Sequence, residues 1–180
     1  MNTEERIKLF DELRHLYDSS SVISKDLREY LIDNRFFEKP ASVRYHGAYS
    51  GGLFDHSYTV ATTLIDFTKK LDLKWEHSRS PFVVGMYHDL CKLDNYIYND
   101  AEDRWVYNNN LVLNGHGDKS VILLQKFMQL TVEEILCIRW HMGAFDEKDN
   151  WKHYNGAVSM FPNVLYTHTA DMHAAHVMGT

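Results

Sequence analysis

The ten residues Gly85-Met86-Tyr87-His88-Asp89-Leu90-Cys91-Lys92-Leu93-Asp94 limit what this chain can fold into more than any other stretch. They close an apolar run, Phe82 to Tyr87, with an imidazole beside a carboxylate, and set an ammonium three residues further on. Burying an unpaired carboxylate costs more than the packing of one side chain returns. Either a helix ends here in water, with His88 hydrogen-bonded and Asp89 solvated, or both side chains turn inward and something positive compensates them. A divalent ion is an ordinary compensation, because neutral imidazole and carboxylate are ligands of zinc, iron and manganese. That second outcome requires the rest of the chain to supply further ligands.

A chain of 180 residues, 44% of them hydrophobic, can bury one substantial core. A single domain over 1–180 is therefore expected, with an N-terminal helical extension over 1–35 packed on a core over 45–176. The longest apolar runs, such as Val121 to Leu124 and the charge-broken Val132 to Trp140, are too short to span a bilayer, so no membrane partner is expected. Met1 to Phe10 is acidic near its start and lacks the parts of a signal peptide, and Cys91 and Cys137 are too few for a disulfide framework. A cytoplasmic protein with two free thiols is the expectation. The net charge of -6 argues against a broad grip on long nucleic acid. It is compatible with a small phosphorylated ligand, since bound metal ions change the sign of the potential inside a pocket.

Helical spacing of Ile7, Phe10, Leu13, Leu16 and Tyr17 predicts an amphipathic helix over Thr3 to Tyr17. A second is expected from the Ser19-Ser20-Ser21 cluster to about Asn34. Pro40, Gly47 and Gly51-Gly52 break the pattern and predict a loop. The next helix starts near Leu53 and runs to about Leu71, with His56 on or beside its apolar face. Pro81 opens a short, nearly all-apolar helix to Leu90. Tyr96-Ile97-Tyr98 and Trp105-Val106-Tyr107 read as a short β-hairpin or flap. His116, bracketed by two glycines, stands at the entrance of a helix through Val121, Leu124 and Met128. Thr131 and Glu134 form a capping-box pattern ahead of a helix to His141, which Gly143 ends. Residues 144–156 read as a polar and aromatic surface excursion, and Pro162 opens a last helix that carries Asp171. The fold class is thus an all-α bundle of about six or seven helices with a short hairpin.

His56, His88, Asp89, His116, His141 and Asp171 each stand at a helix start, a helix end or an inward face. In order, His56, His88-Asp89 and Asp171 match the pattern of one histidine, a His-Asp pair and a distant aspartate, and in this the chain resembles the HD-domain superfamily of metal-dependent phosphohydrolases. The segment Tyr45-His46-Gly47-Ala48-Tyr49-Ser50-Gly51-Gly52-Leu53-Phe54-Asp55-His56 also looks like the first metal motif of HD-domain exoribonucleases. The resemblance covers roughly Tyr45 to His176. It implies an HD-domain bundle and a dinuclear centre: His56, His88, Asp89 and Asp171 on one ion, His116 and His141 on the second, and Asp89 bridging both. Two divalent transition-metal ions would be the cofactors, drawn from iron, manganese, zinc, nickel or cobalt, with magnesium as a further choice. Such a pair sits about 3.5 to 4 Å apart and activates a shared water.

Asp89 and Lys92 are the catalytic residues this resemblance implies, Lys92 following the pair as in the family's His-Asp-x-x-Lys pattern. A cation there anchors a substrate phosphate or offsets developing charge. Arg44, Lys119 and Arg139 are further candidates for substrate anion contacts. His46, Asp118 and Ser120 are candidates for orienting the ligands. The expected activity is hydrolysis of a nucleotide or another small phosphorylated compound. The exoribonucleases carry a nucleic-acid-binding domain before the motif, whereas about 45 residues precede it here, so no long nucleic acid is expected. Two alternatives stay open: a di-iron oxygenase of the myo-inositol oxygenase type, which the ligands do not separate from a hydrolase, and a catalytically silent nucleotide-binding module. A homo-oligomer is compatible with either.

Overall fold

A computed structural model describes residues 1–17, 25–113 and 115–180. Helix α1 (Thr3–Tyr17) carries two glutamates in its first turn, where the helix dipole favours acid, and buries Phe10 against Phe37 and Phe82. Its Arg6 grips Asp55 through two hydrogen bonds of 2.8 and 2.9 Å, which fixes α1 over the start of helix α3 (Gly52–Leu71). The expected second helix is seen as α2 (Lys25–Asp33); its proposed Ser19-Ser20-Ser21 start lies outside the described residues.

The apolar run forms helix α4 (Ser80–Tyr87), every residue of it buried. It ends three residues earlier than expected. From His88 onward the chain makes successive three-residue turns, Leu90 N to Tyr87 O, Lys92 N to Asp89 O and Leu93 N to Leu90 O, which lead into the single helical turn α5 (Lys92–Asn95). Tightening from four to three residues per hydrogen bond stacks Lys92 directly over Asp89. Strands β1 (Tyr96–Asn99) and β2 (Arg104–Tyr107) then pair antiparallel, Tyr96 opposite Tyr107, as the aromatic and β-branched composition predicts. Trp105 anchors the hairpin beneath the Arg35 guanidinium, 4.8 Å from its ring centre.

Helices α6 (Gly117–Leu124), α7 (Val132–Arg139), α8 (Trp151–Met160) and α9 (Asn163–His173) complete the bundle. The predicted capping box is formed in full by Thr131 and Glu134. The segment expected as a surface excursion over 144–156 is largely exposed, and its second half is helical, entering α8 with Tyr154 packed near Trp140 and His168. Among the described residues no helix is long and apolar enough to cross a membrane.

Buried acids hold three helices in common register. Glu134 accepts from Ser80 Oγ at 2.9 Å, tying the start of α7 to the start of α4, and Glu133 accepts from Asn163 Nδ2 at 2.8 Å, tying it to the start of α9. His88, His141 and Asp171 follow these tie points by seven or eight residues, about 11–12 Å of helical rise, and so reach the same depth. Helix α3 packs antiparallel to α4, so its first turn delivers His56 to that same end. The crossing is close because Gly85 has no side chain: a Cβ there would lie 2.4 Å from the Ala61 Cα. Gly85→Ala is expected to force the two helices apart at a cost of about 3 kcal/mol, read as a lowered denaturation midpoint. Because Gly85 also positions His88, a midpoint equal to wild type would show that the crossing is not tight.

Candidate metal centre

The six residues from four helix ends and two loops converge. His56, His88, Asp89 and His141 are almost fully buried, while Asp171 is 13% exposed and His116 33% exposed at the side chain. His56 Nε2 lies 3.2 Å from His88 Nε2 and 3.1 Å from Asp171 Oδ1. Asp89 turns one carboxylate oxygen to each side: Oδ2 is 3.6 Å from His56 Nε2 and 3.4 Å from His88 Nε2, whereas Oδ1 is 2.8 Å from His116 Nε2 and 3.6 Å from His141 Nε2. Three sets of donor atoms each fall within 4.8 Å of one another: His56, His88 and Asp171; His88, Asp89 and His141; and Asp89, Cys91 and His116.

The outer nitrogens of these rings decide what the inner ones offer. His88 Nδ1 bonds Gly85 O at 2.8 Å, His141 Nδ1 bonds Ile138 O at 2.7 Å, and His56 Nδ1 meets Thr180 O at 3.1 Å. A carbonyl only accepts, so in each neutral ring the proton sits on Nδ1 and the Nε2 lone pair points inward. Bare lone pairs 3.2 Å apart repel, and His141 Nε2 is buried with no hydrogen-bond partner. Such an arrangement is costly without positive charge among the donors. The residues therefore fit a divalent cation, and imidazole with carboxylate is the donor chemistry of zinc, iron, manganese and their neighbours.

Lys92 Nζ lies 2.6 Å from Asp89 Oδ2 and is buried with it. Burial alone drives the Asp89 carboxyl up, but Lys92, His88 and His116 together outweigh it and hold the group well below the usual carboxylate range. Burial likewise opposes the Lys92 charge, and Asp89 outweighs it, so the ammonium is held more firmly than usual. Burial pushes His46 down to about 4, leaving a neutral ring packed 4.9 Å from that of His56.

Of the residues expected to orient ligands, Ser120 donates to His116 O at 3.2 Å and accepts from Cys91 N at 3.0 Å. Asp118 instead pairs with Arg139 at 2.7 Å. Two expected substrate contacts are also engaged elsewhere. Arg139 is held between Asp118 and Asp146, each at 2.7 Å, and the buried Lys119 is bound by Asp94 and Asn95, tying α6 to α5. Arg44 is exposed on the 41–50 loop. Two contributors escaped the sequence pattern. Cys91 Sγ sits 3.3 Å from His116 Nδ1, the place that a carbonyl takes for the other three rings. His168 Nδ1 bonds His141 O at 2.7 Å, and its ring fills the space where a Cβ on Gly143, at φ +51°, would stand 2.6 Å away. His168 precedes Asp171 by three residues on α9, a same-face spacing that was there to be noticed.

Comparison of the chain with protein-family models, with curated proteins and with solved structures finds no match.

Proposed function

We propose that this chain is an HD-domain metal-dependent phosphohydrolase that acts on a nucleotide or another small phosphorylated compound with two divalent transition-metal ions. The observation that carries the reading is the carboxylate of Asp89, whose Oδ2 faces His56 and His88 while its Oδ1 faces His116 and His141. On this reading His56, His88, Asp89 and Asp171 would hold one ion, and His116, His141 and Asp89 would hold the other. When bound, such ions supply Lewis acidity toward phosphoryl oxygens and lower the pKa of coordinated water.

The side chains do the rest. The three carbonyl-bound imidazoles are fixed in orientation, so no reorganisation is needed during turnover. Lys92 keeps its proton beside Asp89 and offsets negative charge that builds on the transferred group. The buried helix ends behind His88 and His141 exclude water from all but the Asp171 and His116 sides. Cys91 holds His116 in place. Cys91→Ala is expected to weaken binding of the ion on the His116 side by about 10- to 100-fold, seen as a lower metal-to-protein ratio after equilibrium dialysis. Cys91→Ser, which keeps a hydrogen-bonding group, should fall less, and equal ratios for all three proteins would rule out the positioning role.

The test of function is metal analysis with a panel of phosphoesters assayed with and without oxygen. Hydrolysis that proceeds anaerobically with two ions per chain is the expected result. Oxygen consumption with bound iron would replace the reading by an oxygenase, and tight nucleotide binding without turnover would replace it by a sensor.

A further inference from the structure

Two openings reach the centre, at the two ligands that are not fully buried, and they differ in chemistry. The opening at His116 is polar: Asp118, Asp146 and Glu147 line it, and its guanidinium, from Arg139, is already held by two of those carboxylates. The opening at Asp171 leads into a cavity of about 500 Å³ walled by Tyr45, Phe145, Met142, Met172 and Ala175. Tyr45 is 76% and Phe145 66% exposed, a large uncovered aromatic area for two residues on one rim. His46 lines the same cavity, and its buried Nε2 has no hydrogen-bond partner. Asp171 belongs to both places: it lines the cavity while its Oδ1 stands 3.1 Å from His56 Nε2.

We infer that this cavity takes the base of a nucleotide whose phosphate reaches the centre, and that the base rather than the sugar sets specificity. This rests on the phosphohydrolase reading for the phosphate end only. A cavity of 300–1,000 Å³ lined by apolar and aromatic groups with a few polar ones is the usual form of a small-molecule site. The walls choose among small phosphorylated compounds. A phosphate cannot settle against them, so it stays at the cationic end. A sugar phosphate would leave most of its hydroxyls facing thioether and ring carbon, since His46, Asp171 and His176 are the few polar groups among the lining residues. A planar heteroaromatic ring instead stacks on Tyr45 or Phe145, packs its face on the polarisable methionine sulfurs, and offers edge atoms to His46. His46 Nε2, buried and without a hydrogen-bond partner, is a polar atom free to meet that edge.

The test separates base binding from hydrolysis. The manganese-loaded 180-residue protein is titrated calorimetrically with adenosine, which has no phosphate, and assayed on adenosine 5′-monophosphate, ribose 5-phosphate and octyl phosphate. Adenosine should bind, Phe145→Ala should weaken it about tenfold, and Ala175→Trp, which fills the cavity, should abolish it. The ratio of kcat/KM for adenosine 5′-monophosphate over ribose 5-phosphate should fall with Phe145→Ala by a similar factor. Phe145 is exposed, so its variant tests the cavity without disturbing the core; circular dichroism checks that Ala175→Trp folds. Adenosine binding that responds to Phe145→Ala, with no phosphoester hydrolysed, would keep the base site and discard the hydrolase. Hydrolysis of all three phosphates with similar kcat/KM, or a preference for octyl phosphate, with Phe145→Ala like wild type, would keep the hydrolase and discard the base site.

Discussion

Asp89→Asn is expected to strip the protein of bound divalent ions and reduce turnover further than the roughly 10²- to 10³-fold that one lost hydrogen-bond donor costs an active site. The substitution is nearly isosteric, so packing is kept and only the charge goes. That charge is widely shared: four imidazole Nε2 atoms lie within 3.6 Å of one or other Asp89 oxygen, and the Lys92 ammonium lies at 2.6 Å. Without it Lys92 is buried beside a neutral amide. Breaking a buried pair from one side costs about 3–5 kcal/mol, which in a chain this size lowers the thermal midpoint by on the order of 10 °C. Metal analysis and thermal unfolding of the same preparation read both effects. A variant that retains two ions per chain would mean that Asp89 is not shared between them.

Most of the bundle was legible because its helices carry unbroken periodic signals. Ile7, Phe10 and Leu13 on α1 mark a helical face, and the Thr131–Glu134 box names the start of α7 outright. Helix α8 was not legible because Lys152, His153, Asn155 and Gly156 give a polar segment with a poor helix former inside it; its core contacts, Tyr154 beside Trp140 and the buried Ala157, come from the fold. In the candidate site the residues that converge could be picked out in order, since His88 and His141 end apolar runs and each bonds the carbonyl three residues back. Cation partners could not. Lys119 reaches Asp94 and Asn95 more than twenty residues away, and Arg139 pairs with Asp118 across a similar span. Charge complementarity between distant segments has no sequence period, so which acid meets which base emerges only from the fold.

Lys92→Met should separate the two jobs of this lysine, and its outcome has the opposite sign from that of Asp89→Asn where metal is concerned. Methionine matches the length of the stem and removes only the charge. Turnover is expected to drop by about 10²- to 10³-fold, since a fixed cation near the developing charge is lost, while both ions stay bound. Stability should become metal-dependent. In wild type Lys92 offsets Asp89 whether or not an ion is present, so chelation costs the protein only what the ions themselves contributed. In the variant Asp89 loses the ammonium 2.6 Å from its Oδ2, and divalent ions become a larger share of what compensates it. Chelator should therefore lower the thermal midpoint of Lys92→Met by clearly more than that of wild type, and saturating manganese should close most of the gap. The double variant Asp89→Asn with Lys92→Met removes both charges, so it is expected to be more stable than the sum of the single losses predicts, a coupling of about 3 kcal/mol in a double-mutant cycle. Additive losses would show that the 2.6 Å contact contributes little, and an unchanged response to chelator would show that the ions do not sit against Asp89 at all.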